Sequence, residues 1–202
     1  MGSRRVARRR LYDLNKSGES LTSTAGAGMG SNIGSQSRFR QGELITTDIT
    51  IDLAAAAGAT HSFSTTGTGT TAVKAIGVSS SGGTHSNAHI MQVNGTSSAN
   101  DAVGIVVAAE LICVEAPLGG EDHIGVWYAT NASGSGNDML GGGVALIAAA
   151  DQALGTDGEN LDVGTDLDDK YLYLVSSGST DADYTAGKFV LRLYGYNVFD
   201  DV

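Results

Sequence analysis

Three short stretches carry the side chains best suited to chemistry. In "GGTHSNAHIMQV" (82–93), His85 and His89 lie four residues apart. That spacing would share a metal ion on one face of a helix. The flanking residues instead read as a turn entering a strand, where four residues span about 13 Å. His85, His89 and the more isolated His61 are therefore expected to be turn and surface residues. In "GGEDHIGVWY" (119–128), Glu121 and Asp122 adjoin His123. A carboxylate–imidazole pair can move protons, but no nucleophile accompanies it, so the stretch reads as a capped turn. The third stretch, "GTDGENLDVGTDLDDKY" (155–171), holds Asp157, Glu159, Asp162, Asp166, Asp168 and Asp169. Clustered carboxylates suit calcium, yet the spacing is not that of a twelve-residue EF-hand loop. These six are kept as calcium candidates beside the simpler reading of a solvated acidic loop, and no metal or other cofactor is expected. Cys113, the only cysteine, lies in the apolar run "VVAAELICV" and is expected to be a buried, inert thiol. Nothing here assembles a catalytic constellation, and an enzyme is not expected.

The charge distribution says more than these clusters. The chain has 202 residues and a formal net charge of −10. Residues 1–40 hold eight Lys/Arg against Asp13 and Glu19, a net +6, whereas residues 41–202 hold four Lys/Arg against twenty acids, a net −16. The positive end begins "RRVARRRLYDLNK", in which Arg4, Arg5, Arg8, Arg9, Arg10 and Lys16 alternate with Val6, Leu11, Tyr12 and Leu14. A basic helix this short needs a surface to lie on. Residues 17–43, rich in Ser and Gly, read as an extended strap with Arg38, Phe39 and Arg40 anchoring its far end. The expected organisation is thus a basic arm and strap over 1–43 and a body over 44–202, with a chain begun at Leu44 still able to fold. No run approaches the roughly 20 apolar residues of a membrane span. No apolar stretch follows the arginines as it would in a secretory signal.

The body is written in strand periodicity. "LITTDITIDL" (44–53) places Ile45, Thr47, Ile49, Ile51 and Leu53 on one face and Thr46, Asp48, Thr50 and Asp52 on the other. Further strands are expected at 61–65, 72–79, 89–93, 103–115, 124–130, 170–176 and 188–199, separated by Gly/Ser/Asn/Asp turns. "GGGVALIAAADQALG" (141–155) reads either as a short helix, from its Ala and Leu content, or as a strand running into a turn. Eight strands without β–α alternation predict an all-β, antiparallel sandwich, jelly-roll-like in arrangement.

Two readings of the arm stay open. Arginine clusters neutralise phosphates, and the same arginines can pair with carboxylates on an acidic protein neighbour while Leu11, Tyr12 and Leu14 bury themselves beside them. The runs "RRVARRRLYDLNK", "ITTDITIDL", "GGEDHIGVWY", "KYLYLV" and "GKFVLRLYGY" resemble virion structural proteins of marine tailed bacteriophages of about this length. The resemblance implies a virion component made in a host cytoplasm, of the capsid decoration or cement kind. Its partners would be capsid or other virion proteins and further copies of itself, with a trimer favoured. The alternatives are a shell or tail component whose arm faces packaged nucleic acid, or a receptor- or carbohydrate-binding fibre module. Tyr184 is the one aromatic expected at a loop tip.

Overall fold

The computed structural model of the chain describes residues 19–20, 25–26, 28–29, 32–54, 73–77, 88–94, 103–130, 143–177 and 184–196. The described residues contain eleven strands and no helix: β1 Glu19–Ser20, β2 Ile33–Gln41, β3 Leu44–Asp52, β4 Val73–Ala75, β5 Met91–Gln92, β6 Ile105–Leu118, β7 His123–Ala129, β8 Val144–Asp151, β9 Asp157–Asn160, β10 Tyr171–Ser177 and β11 Ala186–Tyr196. They form two antiparallel sheets. The first runs β1-β2-β3-β11-β6-β9, and the second runs β4-β10-β7-β8 with β5 also paired to β10. The all-β, two-sheet expectation holds. The strand expected at 61–65 lies outside the described residues.

β3 alternates buried and half-buried along its whole length. Ile49, Ile51 and Leu53 enter a core shared with Leu111 and Cys113 of β6, Phe189, Leu191 and Leu193 of β11, Ile124 and Val126 of β7, and Leu172 and Leu174 of β10. One apolar layer therefore glues the sheets together. β10 departs from simple alternation, because Leu172 through Ser176 are all buried. Tyr173 and Val175 point away from the main core into a second cluster with Ala75, Ala88 and Ala129, flanked by Trp127 and Tyr171. A strand apolar on both faces belongs in the middle of a covered sheet.

Of the two readings of 141–155, the strand running into a turn is the one found over the described residues: Val144–Asp151 is a strand, and a turn closed by Thr156 N–H donating to the Ala153 carbonyl (2.9 Å) leads into β9. Helix propensity among alanines is a small preference, and pairing of β8 along β7 overrides it. The end of the strap next to the body is itself a strand. Residues 33–41 pair with β3 from Ile33↔Ile51 to Gln41↔Leu44, so the boundary placed at 43/44 falls in the turn of a β-hairpin. Ahead of that strand, Met29 is fully buried in the main core.

A chain begun at Leu44 should accordingly lose its cooperative melt, because β3 becomes an open edge and the Met29 site is vacated. Met29→Ala in the full chain should cost about 2–5 kcal/mol, the usual range for emptying a buried methionine site. Urea denaturation followed by circular dichroism measures both; a Leu44-initiated chain as stable as the full one would show the strap to be external after all.

Candidate functional site

The outer face of the first sheet carries a polar ladder. β11 sits between β3 and β6 with Lys188 opposite Asp52 and Glu115, and Arg192 opposite Asp48 and Glu110. Arg192 Nε and Nη2 donate to the two carboxylate oxygens of Asp48 at 2.7 and 2.9 Å, the bidentate geometry that suits guanidinium best. Its Nη1 lies 3.6 Å from Glu110, which also accepts from Tyr194 Oη at 3.1 Å. Hydrogen bonding to Asp48 raises the Arg192 pKa, desolvation opposing. Lys188 Nζ lies 3.0 Å from Glu115 and 3.6 Å from Asp52, and the hydrogen bond to Glu115 is the main cause of its raised pKa. Ser35 and Thr50 extend the ladder toward β2 with a 3.0 Å hydroxyl pair.

Arg4, Arg5, Arg8, Arg9, Arg10, Leu11, Tyr12, Leu14 and Lys16 lie outside the described residues, as do His61 and His85. Arg38, Phe39 and Arg40 sit on β2, but on opposite faces. Phe39 pairs with Thr46 and shares the outer face of the sheet, whereas Arg38 and Arg40 pair with the inward residues Thr47 and Ile45.

The calcium candidates are dispersed. Asp168 accepts from Asn94 Nδ2 at 2.5 Å, and the same Asn94 bonds the Gly104 carbonyl and the Val103 amide, so this carboxylate clamps three loops. Asp166 accepts from the Asp168 amide at 2.9 Å in a local turn. Asp157 and Glu159 sit on β9, and Asp162 and Asp169 face solvent. Among the described residues no three His, Cys, Asp or Glu side chains converge on a metal position.

His123 Nδ1 lies 2.7 Å from Asp151, its cross-strand neighbour on β8. Asp151 is 82% exposed, so the pair is a surface contact. His89 is not a surface residue: it is buried edge-on against Tyr171, with ring centroids 4.9 Å apart. Cys113 is buried, and burial pushes its thiol pKa up, as an inert cysteine requires. Tyr184 is 3% exposed rather than displayed at a tip. Its ring lies on Gly120, where a Cβ would come within 2.6 Å of it, and its hydroxyl donates to the Glu121 carbonyl at 2.6 Å.

Sequence reasoning missed the ladder as a unit. Its signal was present in the polar faces of 44–53 and 188–196, but the partners become visible only once β11 is known to pair with both β3 and β6. The chain matches no protein-family model, no curated protein and no solved structure.

Asp48→Ala should destabilise the fold by about 1.5–3 kcal/mol, since it strips a charged, half-buried donor pair of its acceptor. Asp151→Ala should cost less than about 1 kcal/mol, as exposed pairs do. Alkali offers a second readout. Burial raises the Tyr173 phenol from its usual value near 10 to about 12, with charge repulsion from Tyr171 adding to the effect. The fold favours the protonated phenol, so this contribution is complete below pH 10 and disappears as pH rises from 10 through 12. Urea midpoints across that window should fall, and Tyr173→Phe should flatten part of the fall.

Proposed function

We propose that the chain is a non-enzymatic virion structural protein, a capsid decoration or cement protein held on its particle by the basic segment over 1–16. The observation that carries this reading is the charge split, +6 over residues 1–40 against −16 over the rest. A body of that charge repels polyanions, while the arginines and interleaved Leu11, Tyr12 and Leu14 match an acidic protein groove. The resemblance of the quoted runs to tailed-phage virion proteins points the same way. The body is read as jelly-roll-like because successive strands mostly change sheets: β6 to β7, β8 to β9, β9 to β10 and β10 to β11 all cross. Homo-oligomers, trimers first, are the expected state on the particle.

The arginine cluster by itself favours one rival, an arm facing packaged nucleic acid. The fibre-module reading loses ground, because Tyr184, its candidate aromatic contact, is turned inward.

Immunogold labelling of particles from the genome encoding this chain should decorate the head surface; label confined to fibres, or absent from particles, would overturn the proposal. Attachment should weaken on replacing Arg8, Arg9 and Arg10 by Ala, and equally on Leu11→Ala or Leu14→Ala, each anchor burying side chain worth about 1.5–3 kcal/mol. If the leucine changes are silent and a 1–18 peptide binds duplex DNA with a log–log salt slope near −0.9 per phosphate, the arm faces nucleic acid instead.

A further inference from the structure

Asn94 is the only asparagine in the chain that is followed by glycine. Glycine has no Cβ to hinder the approach of its own backbone nitrogen. An Asn–Gly pair is therefore where that nitrogen most readily attacks the preceding side-chain carbonyl. In the fold the same asparagine is a clasp. Its Oδ1 accepts from the Val103 amide at 2.8 Å, and its Nδ2 donates to the Gly104 carbonyl at 3.0 Å and to Asp168 Oδ1 at 2.5 Å. Both amide hydrogens and the amide oxygen are thus engaged. The residue sits at φ 48°, a conformation that asparagine tolerates better than most. What it clasps belongs to the core. Val103 is 1% exposed within the main apolar cluster, and Gly104 lies so close to the Tyr196 carbonyl that no side chain would fit there.

We infer that Asn94 is a latched modification site: it deamidates when this clasp opens, and the clasp cannot then close again as before. Water alone balances the reaction. The Gly95 nitrogen gives its proton to solvent hydroxide and bonds to Asn94 Cγ. The Cγ–Nδ2 bond breaks, and the leaving nitrogen takes a proton from water and departs as ammonia. Water then opens the resulting succinimide at either carbonyl, leaving aspartate or isoaspartate. Nothing is oxidised or reduced. The closed clasp opposes this at the leaving group, because Nδ2 is held between a carboxylate and a carbonyl, neither of which has a proton to give. Conversion reverses the fit. A carboxylate at position 94 offers no hydrogen, so it meets the Gly104 carbonyl and the Asp168 carboxylate as a further acceptor, with like charges where an N–H···O bond had been. Only the Val103 amide can still donate to it. An opening of the joint between the end of β5, the start of β6 and the entry to β10 is thereby recorded permanently.

Peptide mapping by mass spectrometry follows the conversion in the full chain, kept in mildly alkaline buffer either folded or unfolded in urea. Asn94 should gain the mass of an amide turned acid more slowly in the folded chain than in urea. Asp168→Ala should speed conversion of the folded chain about tenfold or more, the factor that goes with losing one hydrogen bond to a charged group. Asp151→Ala, which removes an exposed acid on β8, should leave the rate unchanged. If Asp168→Ala does not fold, Asp168→Asn keeps the shape, removes the charge and should also speed the reaction. Asn94→Asp imitates the main product and should lower the melting midpoint. Adding Asp168→Asn to it puts a donor back between the two side chains and should recover part of that loss. Equal rates in folded and unfolded chain would overturn the inference. So would an Asp168 variant that converts no faster than the wild type, an Asp151→Ala chain that speeds up equally, or an Asn94→Asp chain that melts with the wild type.

Discussion

The parity of β11 governs the rest of the molecule. It pairs with β3 without interruption from Lys188↔Asp52 to Tyr196↔Leu44, and with β6 on its other side. Side chains alternate faces with a period of two, so a slip of one residue would turn Phe189, Leu191 and Leu193 outward and carry Lys188 and Arg192 into the core. Three register shifts against the longer β6 keep the faces aligned. The last of them adjoins Gly195, where the Val103 carbonyl lies so close that no Cβ could be accommodated. A side chain there would force the ends of β6 and β11 apart.

Once parity is set, the polar ladder follows. Lys188 and Arg192 stand four apart on the same face, and a carboxylate flanks each of them on both neighbouring strands. Residues 41–202 contain only four cations, and two of them occupy this central strand. Each is placed to serve two acids, which keeps β3, β11 and β6 free of uncompensated repulsion along their middle. Farther out the supply of cations ends, and Glu159 meets Glu110 with no further positive group registered against it. The electrostatic excess of the sheet is thereby pushed to its β9 edge.

Much of this was legible in the sequence where period two was strong. Residues 44–53 and 188–196 announced half-buried strands, and both have them. β2 was not legible, because "IGSQSRFRQ" is poor in strand formers and rich in small polar residues. Its strand exists because β3 offers it a partner through a two-residue turn, a tertiary cause that local propensity cannot report. β8 was ambiguous for a related reason, since its alanines suit a helix and only the neighbouring β7 decides otherwise. Tyr184 looked like a tip residue within Ser, Thr and Asp, yet Gly120, more than sixty residues away, provides the flat surface on which its ring lies. The candidate carboxylates at 157–169 could be counted in advance. That Asp168 clamps Asn94 could not, because the contact joins segments 74 residues apart.

The two sheets differ in what they can offer a partner. On the second, β10 is buried on both sides, and Tyr173, Val175 and Ala129 already have apolar cover that includes Ala88. That outer surface is occupied by the domain itself. On the first sheet, the outer face of β3, β11 and β6 carries its ladder of ion pairs, with Phe39, Tyr196 and Ile105 exposed at one end. Exposed aromatics beside charged groups lose little on desolvation and gain apolar contact, which is the balance found where large rings anchor interfaces. The side chains displayed on this face are set by strand register, not by loop conformation.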